Sequence, residues 1–103
     1  MVEQQKFQMM IQELQMVAQQ TAAMRNQESE LESTIELVTR HDDEMGLFRQ
    51  SGAILAEVAD RESLLVELKS TKDKISQAIS QLSSRENELR QGYEKLAKEF
   101  EGK

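Results

Sequence analysis

The sequence predicts a mainly α-helical protein, in which a long antiparallel coiled coil of two helices is joined by one short β-hairpin. Apolar residues recur at alternating steps of three and four over residues 7–38 and again over residues 65–100. Such spacing is typical of a coiled-coil seam, and it stops in the segment between the two repeats. We expect a single domain over residues 1–103, with helix 1 over 1–41, the hairpin region over 42–60 and helix 2 over 61–103.

The first helix is predicted from ten seam positions, eight of which are apolar. Glutamine and glutamate are the commonest residues between them, as expected for the solvent-exposed sides of a coiled coil. The mean spacing of 3.5 residues extends over more than four heptads, so the segment should form one uninterrupted helix. These positions are Phe7, Met10, Leu14, Val17, Thr21, Met24, Glu28, Leu31, Ile35 and Val38.

The second helix is predicted from eleven seam positions, nine of which are apolar. Asp60 precedes this repeat as a candidate N-cap, and Glu62 in the first turn would complement the positive end of the helix dipole. A helix this long requires a partner along its length. The positions are Leu65, Leu68, Lys72, Ile75, Ile79, Leu82, Glu86, Leu89, Tyr93, Leu96 and Phe100.

The two seams have similar lengths and a short connection, so the chain is expected to fold back as an antiparallel pair. This arrangement brings Phe7 near Leu96, with both chain ends at the same end of the coil. It also brings the polar seam residues Glu28 and Lys72 within about one helical turn of each other. They could form an ion pair, or both side chains could reach solvent.

The hairpin is predicted from two short apolar runs on either side of the dipeptide Ser51-Gly52. With these two residues as the centre of a two-residue turn, Phe48 faces Leu55 across the strands. Both faces of the hairpin are then partly apolar. The candidate oligomerisation residues are Leu47, Phe48, Ile54, Leu55 and Val58.

An isolated two-stranded hairpin is marginally stable in water and leaves two strand edges without hydrogen-bond partners. The remaining sequence offers no further strands. Hairpins from other chains can supply the missing edges, and a β-barrel closed between subunits would satisfy all of them. The sequence therefore predicts an oligomer joined at its hairpins.

The composition excludes several classes of function. The chain has no cysteine and a single histidine, His41, so no metal site is expected. The net charge of −6 disfavours binding to nucleic acid. No apolar run approaches the roughly 20 residues of a membrane-spanning helix, and no nucleophile constellation or phosphate-binding loop is present. We expect a cytoplasmic protein that is not an enzyme and requires no cofactor.

The hairpin region and its flanks resemble the β-type subunit of prefoldin, a cytosolic chaperone. The most specific similarity lies in the acidic pair Asp42 and Asp43 and in residues 47–55, whose pattern is aromatic and basic residues, a glycine turn and an apolar second strand. Residues 60–62 and 64–69 are similar to the family's entry into its second helix. A single hairpin between the helices resembles the β type and differs from the α type.

This resemblance implies a hetero-hexamer of two α-type and four β-type subunits, whose hairpins form a double β-barrel and whose coiled coils extend from it. It further implies that the tips of the coiled coils hold unfolded client proteins and pass them to a chaperonin without using ATP. The terminal regions carry more apolar residues than a two-helix seam requires. The candidate client-binding residues are Val2, Phe7, Met9, Met10, Ile11, Leu96 and Phe100.

A structural or tethering coiled coil is the alternative interpretation. In that case the heptads bind a partner helix, residues 42–60 form only a linker, and no client is held. Met9 and Ile11 would then be flanking residues that broaden the seam, or parts of a fraying terminus. Partner-dependent assembly would distinguish the two interpretations.

Overall fold

The computed structural model describes residues 2–101 of the 103-residue chain, with side chains described for residues 4–101. Along the sequence, one long helix precedes a two-stranded antiparallel sheet and a second long helix follows it, which confirms the predicted fold class. The elements are α1 (Val2–Arg40), β1 (Phe48–Ser51), β2 (Ile54–Glu57) and α2 (Arg61–Glu101).

The chain divides into two compact units, and each is described separately. The terminal unit contains residues up to Asn26 together with those from Gln77 onward, and the hairpin unit contains Gln27–Ser76. In the terminal unit, Phe7 packs against Tyr93 and Glu13 pairs with Arg85. A residue later in α1 therefore contacts a residue earlier in α2. The two helical segments of this unit are therefore antiparallel.

The seam positions predicted from the heptads form the thin core of the protein. All ten positions on α1 are buried or half-buried, as are ten of the eleven on α2. The exception is Phe100, which is 41% exposed. A seam between two helices encloses each side chain from one direction only, which explains why no described side chain is completely buried. The most buried residues are Val17, Thr21, Ile79 and Leu89 in the terminal unit and Val38 in the hairpin unit.

The polar seam residues of the hairpin unit both find partners, but they do not pair with each other. The Ser76 hydroxyl donates a hydrogen bond of 2.6 Å to the Glu28 carboxylate. Lys72 Nζ lies 3.2 Å from Glu32 Oε1. Each long side chain thus satisfies its polar group at the edge of the seam without a direct contact between Glu28 and Lys72.

The turn of the hairpin differs from the prediction by one residue. Gly52 and Ala53 are its central residues, and Ser51 pairs with Ile54 in the strands. The two-residue turns that suit a hairpin need positive φ at the first central residue, and Gly52 adopts φ of +60° without a steric penalty. The predicted turn would have required this conformation of Ser51.

The shifted turn changes the cross-strand pairs but leaves the two faces unchanged. Phe48 pairs with Glu57 instead of Leu55, a displacement of two residues along the second strand. Because side chains in a strand alternate with a period of two, each residue remains on its predicted face. Phe48 and Leu55 share one face, and Ile54 lies on the other.

The beginning of α2 has the predicted N-cap. Asp60 Oδ1 accepts hydrogen bonds from the backbone N–H groups of Glu62 at 3.0 Å and Ser63 at 3.2 Å. The Ser63 hydroxyl donates a third bond to Asp60 Oδ2 at 2.8 Å. These bonds favour the carboxylate form, and those from Ser63 do most to lower the pKa of Asp60 below its ordinary value of 3.8.

The cap predicts a pH dependence of stability. Because folding lowers the pKa of Asp60, its contribution is complete above pH 3.8 and is lost as the pH falls through the folded-state pKa. We expect Asp60→Ala to lower the melting temperature near neutral pH, and this difference from the wild type to shrink in acid. Thermal circular dichroism at several pH values measures the effect. The control is Asp60→Asn, which keeps an uncharged cap, and an equal loss for Asp60→Ala at every pH would contradict the prediction.

Candidate interaction surfaces

The hairpin presents large apolar side chains to solvent on both faces. Phe48 is 57% exposed, and Ile54 and Leu55 are each 68% exposed. Leu47 and Val58, the other predicted oligomerisation residues, are half-buried. The Val58 N–H donates a 2.8 Å hydrogen bond to the Leu47 carbonyl, so these two residues continue the pairing beyond the strands.

The sheet of the described chain consists of β1 and β2 alone, so each strand has one edge without a neighbour. Each edge offers backbone N–H and C=O groups that an added strand can pair with. Arg49 on β1 reaches Glu67 on α2 through hydrogen bonds of 3.3 and 3.4 Å, which connects the hairpin to the adjacent helix. The hairpin is thus held in place on its own chain while its faces and edges stay open.

Arg61, the first residue of α2, binds the end of α1 and the loop that follows. Its guanidinium donates hydrogen bonds to the carbonyl oxygens of His41 at 2.6 Å and Val38 at 3.5 Å, and it forms an ion pair with Asp43. The last carbonyl groups of a helix lack partners within the helix, so Arg61 acts as a side-chain cap. His41 Nε2 also lies 2.9 Å from the Met45 carbonyl oxygen, which fixes the loop further.

The terminal unit contains a cluster of three aromatic rings. The Phe7 ring centroid lies 4.6 Å from that of Tyr93 and 5.6 Å from that of Phe100, both in edge-to-face geometry. Beside this cluster lies an open groove of about 480 Å³, lined mainly by apolar surface from Phe7, Ala97 and Phe100 and bordered by Gln4, Gln8 and Glu101. Edge-to-face packing stabilises the end of the helical pair.

Gly92 accommodates Met10 in the same unit. A Cβ atom at residue 92 would lie 3.0 Å from the Met10 methyl carbon, which is closer than ordinary van der Waals contact. The glycine that the sequence places near the end of α2 therefore makes room for a seam side chain.

The predicted client-binding residues divide into two groups in the structure. Phe7, Met10 and Leu96 are half-buried in the seam. Met9 is 68% exposed and Ile11 38% exposed, and both lie outside the seam. Phe100 combines the two properties, because it touches Phe7 and remains 41% exposed. The side chain of Val2 lies outside the described residues.

Sequence reasoning did not single out two exposed apolar residues of the hairpin unit. Leu37 is 72% exposed and Val66 is 69% exposed. Leu37 lies next to the seam residue Val38, and Val66 lies next to the seam residue Leu65. Both therefore occupy heptad positions outside the seam, which are usually polar in a coiled coil. An apolar residue outside the seam, close in sequence to the hairpin, is the signal that would have found them.

Ionic contacts on the helices are mostly exposed and local. In the terminal unit, Arg85 Nε donates a 3.1 Å hydrogen bond to Glu13, and this interaction raises the pKa of Arg85 above its ordinary value.

Within the part of the chain that the structure describes, no three histidine, cysteine or carboxylate side chains are arranged to hold a metal ion. Across residues 2–101, neither helix combines the length and hydropathy needed to cross a bilayer.

These features define the class of the protein as a two-helix coiled coil with an exposed, edge-open β-hairpin between its helices. A family model described as "Prefoldin subunit" matches residues 1–103. The chain belongs to the prefoldin subunit family.

Its fold is similar to that in a crystal structure of the prefoldin beta subunit from Thermococcus strain KS-1. The TM-score is 0.88 at 16% sequence identity, and the match covers 98% of this chain and 88% of that chain. A search of curated proteins found no match. The structural match shows a shared fold, which includes a single hairpin between two long helices.

Proposed function

We propose that this chain is a β-type subunit of a hetero-oligomeric prefoldin complex. Its partners are an α-type subunit and other β-type subunits, which join it through their hairpins. The complex holds unfolded proteins without ATP and delivers them to a chaperonin in the cytoplasm. Membership of the prefoldin subunit family and the β-type fold support this proposal.

The observation that carries the proposal is the exposure of Phe48, Ile54 and Leu55 on a sheet of two strands. Complete burial of side chains of this size contributes about 1.5–3 kcal/mol each. Isolated hairpins seldom retain such surfaces in water, whereas added strands would cover the faces and satisfy the edges together. Leu37 and Val66 lie in the same unit and would extend the apolar area available to a neighbouring subunit.

Client holding is supported by the apolar surface of the terminal unit. Met9 and Ile11 are exposed, and the groove beside Phe7 and Phe100 is open. Methionine is flexible and polarizable, so it adapts to unlike apolar surfaces. One such surface binds weakly, but several tethered on one complex act together because each bound site raises the effective concentration of the next.

Reconstitution tests both parts of the proposal. The chain alone, an α-type subunit alone and their mixture are compared by size-exclusion chromatography with light scattering and by suppression of aggregation of chemically unfolded citrate synthase. We expect a larger complex only in the mixture, and suppression of aggregation by that complex. Failure to assemble would contradict the proposal and favour a tethering coiled coil. Assembly without suppression would contradict the client-holding part.

A further inference from the structure

We infer that a second surface for unfolded polypeptide runs along the outer side of α1, beyond the tip residues. We call it the outer stripe and define it as Met9, Met16 and Ala23. This inference rests on the proposed client-holding function and extends its site from the tip to the middle of the terminal unit. The stripe runs from Met9 to Ala23, a distance of about 21 Å along the helix at about 1.5 Å per residue.

The three residues of the outer stripe are separated by seven positions each, so they lie on one side of α1. Met9 is 68% exposed, Met16 is 58% exposed, and Ala23 is exposed as well. Each immediately precedes a seam residue and therefore lies outside the contact with α2. A coiled coil normally places polar residues at such positions, so packing within this chain does not explain the apolar side chains.

The helix around the outer stripe is almost free of charge. Residues 7–24 contain a single charged side chain, Glu13, and Arg85 already binds it. Residues 85–101 of α2 in the same unit contain nine charged side chains. A folded partner helix usually selects its position through charged flanking residues. Among the residues three and four positions from Met16 and Ala23, Glu13 alone is charged, which favours an occupant without a fixed charge pattern at these two residues. Lys6, three positions before Met9, adds a cation only at the tip end of the outer stripe.

The polar neighbours of the outer stripe suit an unfolded backbone. On a helix, the closest neighbours of Met16 are three and four residues away, and three of these four are Gln12, Gln19 and Gln20, all exposed. A glutamine amide both donates and accepts hydrogen bonds. An unfolded chain presents free N–H and C=O groups together with apolar side chains, whereas a folded helix has already satisfied most of its backbone groups.

The size of the outer stripe argues against a stable contact with a second copy of this chain. Two partly exposed methionines and one alanine are a small part of the roughly 800 Å² that each partner buries in a typical specific interface. A surface of this size supports weak contacts that gain strength from repetition. The occupant we assign is therefore an extended, apolar segment of unfolded polypeptide.

Site-specific crosslinking tests the inference, because the chain has no cysteine of its own. Met16→Cys, Met9→Cys and Ser84→Cys variants are labelled with a photoactivatable maleimide before assembly of the full complex. Ser84 is exposed on α2 in the same unit and serves as the matched control. The probe is reduced, carboxymethylated α-lactalbumin, which cannot refold. We expect crosslinks from residues 9 and 16 at similar yield. The yield from residue 84 should be about tenfold lower, which corresponds to a contact that is weaker by about 1.4 kcal/mol.

A conservative substitution tests the contribution of the methionine side chain. Met16→Gln keeps a similar helix propensity at an exposed position, so the complex should assemble as the wild type does. We expect this variant to bind an uncharged peptide of leucine, phenylalanine, serine and glycine about fivefold more weakly, since it loses apolar contact. Wild-type affinity should change less than about twofold between low and physiological salt, because no ion pair is involved.

The outcomes separate the inference from the proposed function. Crosslinking at residue 9 but not at residue 16 overturns the outer stripe and leaves tip holding intact. No crosslinking at either residue by a complex that suppresses aggregation also overturns it. Crosslinks between two copies of this chain through residue 16, or strongly salt-dependent peptide binding, assign the stripe to a different occupant and overturn it. A complex that suppresses no aggregation contradicts the proposed function itself.

Discussion

Replacing Phe48 and Leu55 together with threonine is expected to abolish assembly with an α-type subunit. Both residues lie on one face of the hairpin and are more than half exposed, so the change removes little packing within the chain. If assembly buries both side chains, the loss is on the order of 3–6 kcal/mol for each subunit, or more than a hundredfold in affinity. Size-exclusion chromatography with light scattering of the mixed subunits measures the effect.

The matched control for this variant is Met16→Gln, which also replaces an exposed apolar side chain but lies in the terminal unit. It should assemble as the wild type does. Threonine keeps a high strand propensity, and circular dichroism should show unchanged helix content in the double variant. A complex of normal size and affinity from the double variant would show that this hairpin face is not an interface.

The second large effect is expected from Leu89→Ala, which should lower the free energy of unfolding by about 2–4 kcal/mol. Leu89 is only 5% exposed and is one of the few buried side chains of the terminal unit. In a core this thin, few neighbouring side chains can move to fill the space that the substitution leaves. The melting temperature should fall by roughly 10–20 °C, as measured by circular dichroism at 222 nm.

The control for Leu89→Ala is Leu37→Ala, because the same change is made at a residue that is 72% exposed. An exposed leucine loses little on truncation, and the control should change the free energy of unfolding by less than about 0.5 kcal/mol in the isolated chain. Equal destabilisation by both variants would contradict the assignment of the core to the seam.

Heptad spacing predicted the core because it places a row of side chains on the side of each helix that faces the other helix. Val17, Ile79 and Leu89 were placed on the seam from their spacing and are buried in the structure. Spacing does not determine which long polar side chains meet, since several partners lie within one turn. Glu28 therefore contacts Ser76 and Lys72 contacts Glu32, although the two were predicted to lie within reach of each other.

The hairpin shows where the local sequence pattern did not determine the exact turn. Gly52 was correctly predicted to lie in the turn. It is the first central residue because that position needs positive φ, so the second central residue is Ala53 and Ser51 belongs to the first strand. The faces were still predicted, since the displacement equals the two-residue period of a strand. The exposure of Leu37 and Val66 was not predicted, because the heptad pattern places only the seam residues and says nothing about apolar residues outside it.

The position of Arg61 couples the last turn of α1 to the first turn of α2. One guanidinium holds the carbonyl groups of Val38 and His41 and the carboxylate of Asp43, so opening either side removes partners from the other. Amide protons near residues 41–45 and at the start of α2 should therefore exchange with deuterium at matched rates, as one cooperative opening unit. Arg61→Met should separate these rates and accelerate exchange in the loop first.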